Sequence, residues 1–187
     1  MIKSKHDLKH YIECDKKARW GDSAGYGIKL KTKKLMKFNI LLRKAEYHVN
    51  NHHKILSAVY KYRLNNLGMK LGWSVEPNVF GPGMCIVHYG TVVVNPNARI
   101  GKNARIHAGV NIGASGGSKK APVIGDNVYF GPGAKIFGDI KIGSNIAIGA
   151  NAVVNKSFEE DGVTLGGIPA KIISRKGYYP NKSEEQV

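Results

Sequence analysis

A step of six residues runs through the second part of the chain. Counted from Val94 it meets Val94, Ile100, Ile106, Ile112, Ser118, Ile124, Phe130, Ile136, Ile142, Ile148 and Val154. Only Ser118, inside the polar stretch Ser115 to Lys120, is not large and apolar. Four residues beyond the large one lies something small or branched: Ala98, Ala104, Val110, Val128, Ala134, Ile140, Ile146 or Ala152. Six residues are too few for a helical hairpin repeat and out of phase with a helix. They suit a short strand and a tight corner, where Gly or Asn supplies the unusual backbone angles. Three such units close one coil. Coils then stack by parallel strand pairing at roughly 4.8 Å, with the aliphatics as an internal ladder. The expected fold is mainly β, a parallel β-helix.

The first part of the chain is built differently. Residues 1–73 hold 17 Lys/Arg against 5 Asp/Glu, and residues 74–187 hold 12 against 8. Glycine divides the other way, 5 before the junction and 18 after it. Ile40, Leu41, Val49, Ile55, Leu56, Val59, Tyr60, Leu64 and Leu67 recur at helical spacing between Leu35 and Leu71. Breaks are expected near Asn50–Asn51 and at Gly68 or Gly72. Residues 2–20 read as one more helix, Gly21 to Gly27 as a loop, and the polar tail from Asn181 as frayed.

Composition narrows the function classes. The chain has 187 residues, 42% of them hydrophobic, enough for one domain with an appendage and against global disorder. No apolar run approaches the ~18 residues of a membrane span, so no integral membrane segment is expected. The opening MIKSKHDLKH has no apolar core of a secretory signal. Cys14 and Cys85 stand far apart, against a disulfide scaffold or a cysteine-ligated zinc site. The cytoplasm is the expected compartment. The lysines of the helices are scattered and no recognition motif occurs, so nucleic acid is not expected as a partner. A solvated face, or attraction for anionic acceptors or a membrane surface, is the better reading.

Three stretches carry a family resemblance: Phe80 to Val94 (FGPGMCIVHYGTVVV), Gly131 to Gly138 (GPGAKIFG) and Leu165 to Ile172 (LGGIPAKI). In this order they resemble the serine acetyltransferase-like branch of the hexapeptide-repeat acyltransferases, from about Leu71 to Ile173. The resemblance implies a left-handed coil and transfer of acetyl from acetyl-CoA to a hydroxyl, with a histidine as general base. It also implies a homotrimer with active sites between neighbouring β-helices. The expected organisation is a basic α-helical segment (1–73), a left-handed β-helix (74–173) and a polar tail (174–187).

His88 stands six before Val94, which assigns it a ladder slot, and the resemblance makes it the base. A hydroxyl is a poor nucleophile until such a group takes its proton. The family orients its histidine with an aspartate three residues before a proline. Here that position is Ser74, ahead of Pro77, and Glu76 is the nearby carboxylate. Glu76 is thus a candidate orienting group, beside the readings of a solvated corner residue or of a backbone carbonyl doing the work.

The acceptor side departs further from the family. Its Asp before the histidine is Val87, and its Arg-His pair is Lys120-Ala121, ahead of Pro122. Lys120 keeps a positive charge, and His107, one past Ile106, is a second candidate for acceptor binding. For acetyl-CoA, Ala114, Pro132 and Ala150 stand at equal spacing, with Gly131 and Gly149 beside the latter two. The resemblance puts the CoA arm along this row, with Lys171 and Arg175 at its phosphates. The β-helix has only two histidines, so no metal is expected. The reading is an acetyl-CoA-dependent O-acetyltransferase acting on L-serine to give O-acetylserine for cysteine biosynthesis. The departures favour the alternative of a sugar hydroxyl in capsular or exopolysaccharide synthesis. A non-catalytic trimeric scaffold is the alternative from another class.

Overall fold

A computed structural model describes residues 1–21 and 30–180. Among the described residues three helices come first: α1 (Lys5–Trp20), α2 (Lys33–Asn50) and α3 (Lys54–Leu71). Ser4 caps α1 in a reciprocal box with Asp7, and α3 stops at Gly72 in the left-handed region. Gly68, the other expected stop, lies inside α3, where a Cβ would come within 2.5 Å of the Trp73 carbonyl. The expected loop after Gly21 and the tail from Asn181 lie outside the described residues.

Fourteen short strands follow and form three sheets. The first holds β1 (Trp73–Ser74), β3 (Val92–Val94), β6 (Asn111–Gly113), β9 (Lys135–Phe137) and β12 (Val153–Val154). The second holds β4 (Arg99–Ile100), β7 (Val123–Ile124) and β10 (Lys141–Ile142). The third holds β2 (Cys85–Ile86), β5 (Arg105–Ile106), β8 (Tyr129–Phe130), β11 (Ala147–Ile148), β13 (Thr164–Gly166) and β14 (Lys171–Ser174). All pairings are parallel except β13 with β14, which closes the end. This is the parallel β-helix that the step of six implies.

The ladder is buried as expected: Val94, Ile112, Ile136 and Val154 share one sheet, and Ile86, Ile106, Phe130, Ile148 and Leu165 another. One corner carries Asn103, Asn127 and Asn145, all at positive φ. Their amides form a chain, Asn103 donating to Asn127 and Asn127 to Asn145, each at 2.8 Å. Asparagine thus supplies the left-handed backbone and also ties the coils together.

The sequence reading needs two corrections of phase. The polar stretch around Ser118 is an insertion between β6 and β7, so the coil from Ile106 to Phe130 is longer than its neighbours. The corner between β2 and β3 is also enlarged: Ile86, not His88, fills the ladder position and pairs with Ile106.

The first coil presents an open edge, and the helices close it with buried polar side chains. Arg43 is fully buried. Its Nε donates to Asp15 at 2.8 Å and its Nη1 to Glu46 at 3.0 Å. The same guanidinium donates to the carbonyls of Phe80 (3.0 Å) and Gly81 (2.7 Å). Asp15 accepts from the amides of Gly83 and Met84, and Glu46 from that of Asn78, all at 2.9 Å. Asn39 and Arg19 serve the carbonyls of Met84 and Ile86. Burial opposes the charged guanidinium, but the two carboxylates outweigh it and hold its pKa above the ordinary value. The Phe38 ring meets the Trp73 indole edge-on at 5.0 Å, continuing the core from helix into coil. Arg43→Met strands two buried carboxylates. Urea unfolding is expected to show a loss of about 3–5 kcal/mol; a loss near zero would mean that the cluster does not hold the cap.

Candidate active site

Parallel register determines which side chains share a corner. Ile86 pairs with Ile106, Ile106 with Phe130 and Phe130 with Ile148. Ala108, Pro132 and Ala150, two beyond the last three, therefore form one row up the corner that leaves the third sheet, and His88 lies in the enlarged corner at its head, where Gly90 faces Ala108. Val87, His107, Gly131 and Gly149 form the adjacent row, extended by Gly166 after Leu165. The candidate base and two of the three residues expected for CoA thus lie on a single edge.

Ala114 does not belong to that edge. It follows Ile112 of the first sheet, while Pro132 and Ala150 follow residues of the third. The equal spacing is misleading because the insertion at Ser115–Lys120 shifts the count. Its place in the row is taken by Ala108, whose carbonyl accepts from the Gly133 amide at 2.9 Å. The glycines are needed for packing: a Cβ on Gly131 would lie 2.7 Å from the Ala150 amide nitrogen. Ala108, Pro132 and Ala150, with Gly131 and Gly149 beside the latter two, keep side-chain bulk off this corner, which suits a long, thin arm such as pantetheine.

His88 is exposed rather than a ladder residue, because the enlarged corner turns it outward. Its ring centroid stands 6.1 Å from that of half-buried His107. His107 continues to Tyr129 at 5.1 Å, and Tyr129 to Tyr178 at 5.5 Å. The tail segment carrying Tyr178 is pinned here by its amide, which donates to the Asn145 carbonyl at 3.0 Å. Burial, then Arg105 and His88, push the His107 pKa below its ordinary value. These influences favour the neutral ring of His107 over the protonated one.

Other expected site residues are spread over the molecule. Glu76 follows β1 while His88 precedes β3, and these strands pair in parallel from Trp73–Val92. The two side chains thus stand at opposite ends of one face, and Glu76 faces Lys61 at 3.8 Å. Ser74 pairs with Val93 on that face. Lys120 stands where the insertion re-enters the coil, with its ammonium on Asp139 at 2.6 Å. Lys171 pairs with Gly166 at the far end of the histidine corner. Arg175 lies past the other end of β14, against Glu160. Among the described residues no group of His, Cys, Asp and Glu could hold a metal ion.

Known proteins share the sequence pattern and the fold of this chain. The family model "Bacterial transferase hexapeptide (six repeats)" matches residues 121–156. The serine acetyltransferase of Mycobacterium tuberculosis is 40% identical over 107 residues, 56% of this chain and 46% of that protein. That of Synechococcus elongatus is 35% identical over 136 residues, 67% of this chain and 55% of the relative. Among solved structures, serine acetyltransferase of Brucella abortus in complex with coenzyme A aligns with a TM-score of 0.78. It is 26% identical, over 94% of this chain and 71% of that one. The Neisseria gonorrhoeae serine acetyltransferase gives 0.77 at 28% identity, over 98% and 73%.

The chain resembles the serine acetyltransferase-like hexapeptide-repeat family. It spans about half the length of the curated family members that it matches. The step of six locates the coil, but it does not predict Ala108 in the row or the contacts of His107 through Tyr129 to Tyr178. The signal for Ala108 was the polar insertion itself, which lengthens one coil. The contact with Tyr178 depends on how the tail folds back and leaves no periodic trace. Replacing Arg105 by Gln removes the larger charge acting on His107, and His88→Ala the smaller. Both are expected to raise the His107 pKa, Arg105→Gln more, in a ring-nitrogen NMR titration.

Proposed function

We propose that this chain is an acetyl-CoA-dependent O-acetyltransferase with His88 as general base. The observation that carries the reading is the shared corner. An outward histidine heads a row of small residues, Ala108, Pro132 and Ala150, along one edge. The acceptor hydroxyl gives its proton to His88 as its oxygen attacks the thioester carbonyl. The tetrahedral adduct then collapses, the thiolate leaves, and the imidazolium returns the proton to sulfur. Gly131, Pro132, Gly149 and Ala150 line the edge for the pantetheine arm. Lys171, at its far end, is placed for a CoA phosphate, whereas Arg175 is engaged with Glu160. His107 orients the acceptor or His88. Glu76, a face away, serves as orienting group only if the corner rearranges.

The assembly we propose is a homotrimer of left-handed β-helices with sites between subunits. Support comes from the placement of the candidates. His88 lies on one corner while Ala114 and Lys120 lie on another, so a site using all three requires two protomers. A second protomer would also wall off the exposed histidine from water. We place the enzyme in the cytoplasm, where the two free thiols are chemically at home.

The first acceptor reading is L-serine, which the relatives' names support. A sugar hydroxyl is the second, favoured by a specific observation. The ammonium of Lys120 is already bound by Asp139, and Val87 offers no charge to an amine. The test is thiol release from acetyl-CoA with serine, then with sugars and nucleotide sugars. His88→Ala is expected to lower the rate by about 10²–10⁴ with the true acceptor. Release with serine establishes the first reading and release with sugar alone the second. No release and no calorimetric CoA binding would leave a scaffold.

A further inference from the structure

Helix α3 has two apolar faces, and only one of them is buried. Leu64, Gly68 and Leu71 pack inward. On the opposite side Ile55, Val59, Tyr62 and Met69 recur at helical spacing and stand 81%, 44%, 68% and 67% exposed. They form a stripe from Ile55 to Met69, about 22 Å of helix, in which Asn66 is the polar member. Exposed cations flank it: Arg63 and Lys70 on one side, Lys54 and Lys61 on the other. The helix carries no Asp or Glu, and among the described residues the only carboxylate ion-paired with these four cations is Glu76, on Lys61.

We infer that this face docks on an anionic lipid bilayer, with α3 lying in the headgroup plane. An apolar stripe bordered by bases is the pattern of an interfacial helix. Ile55 and Met69 enter the acyl boundary, the Tyr62 ring seats at headgroup level with its hydroxyl in water, and the lysine stems reach to the phosphates. Charge selects this occupant over a second copy of the chain. Two such faces in contact would bring both sets of cations together with no carboxylate on either helix between them. It also selects an anionic surface over a neutral one, since the whole helical segment shares the excess of Lys and Arg. No helix of the described residues is long and apolar enough to span a bilayer, so the contact is peripheral. The inference stands independently of acetyl transfer.

The test pelletes the full chain with vesicles of phosphatidylcholine alone or mixed with phosphatidylserine. Binding to the mixed vesicles is expected to exceed that to the neutral ones by about tenfold or more and to fall in high salt. The variant Ile55→Ser/Tyr62→Ser/Met69→Ser should lose that binding, as should Lys54→Gln/Arg63→Gln/Lys70→Gln. Both should melt with wild type, because the replaced side chains face solvent. Thiol release with a soluble acceptor should also be unchanged. Absence of binding to the anionic vesicles, or binding undiminished in the serine variant, overturns the proposal. So does a lower mass of the serine variant in sedimentation, which would assign the stripe to contact between copies.

Discussion

A parallel β-helix has to begin somewhere, and its first coil exposes backbone donors and acceptors that no preceding coil can pair. Arg43 answers that problem. One guanidinium reaches two carbonyls of the coil, while the carboxylates that neutralise it, Asp15 and Glu46, reach three amides. A buried charge is tolerable only when its hydrogen bonds are complete, and here the partner for most of them is the coil's own main chain. The register of the first coil, and with it the corner holding His88, therefore depends on helices that contribute no candidate catalytic side chain.

Much of this architecture is legible in the chain because ladder residues have one job. Ile106, Phe130 and Ile148 must be large and apolar to fill the coil, and their spacing shows through any surface variation. The buried cluster is a different matter. Asp15 is far in sequence from Arg43 and Glu46, and all three look like any charged residues on amphipathic helices. Only the tertiary fold distinguishes them from the solvated lysines around them.

The site was legible in part for the same physical reason. Counting by six assumes that every corner has equal length. The corner after Ile86 is enlarged, so His88 moves from the core to the surface, as the role proposed for it requires. The coil after Ile106 is lengthened, so Ala114 leaves the row and Ala108 enters it. Both errors fall where the repeat is interrupted, and both interruptions lie in the coils that carry the histidines. Regularity builds the scaffold, and departures from it mark the places where side chains are released for other tasks.

The segment from Ser115 to Lys120 has a wider consequence. It leaves after β6 and returns before β7, with Ile112 and Ile124 still in their ladder positions on either side. Its terminal lysine is anchored to Asp139 from the next coil. The interior therefore never registers how long this loop is or what it contains. A lineage that shares the coil could exchange, extend or trim it as a cassette while inheriting an unchanged frame. In such a protein, diversification of acceptors would be expected to concentrate at this junction and to leave the rungs alone.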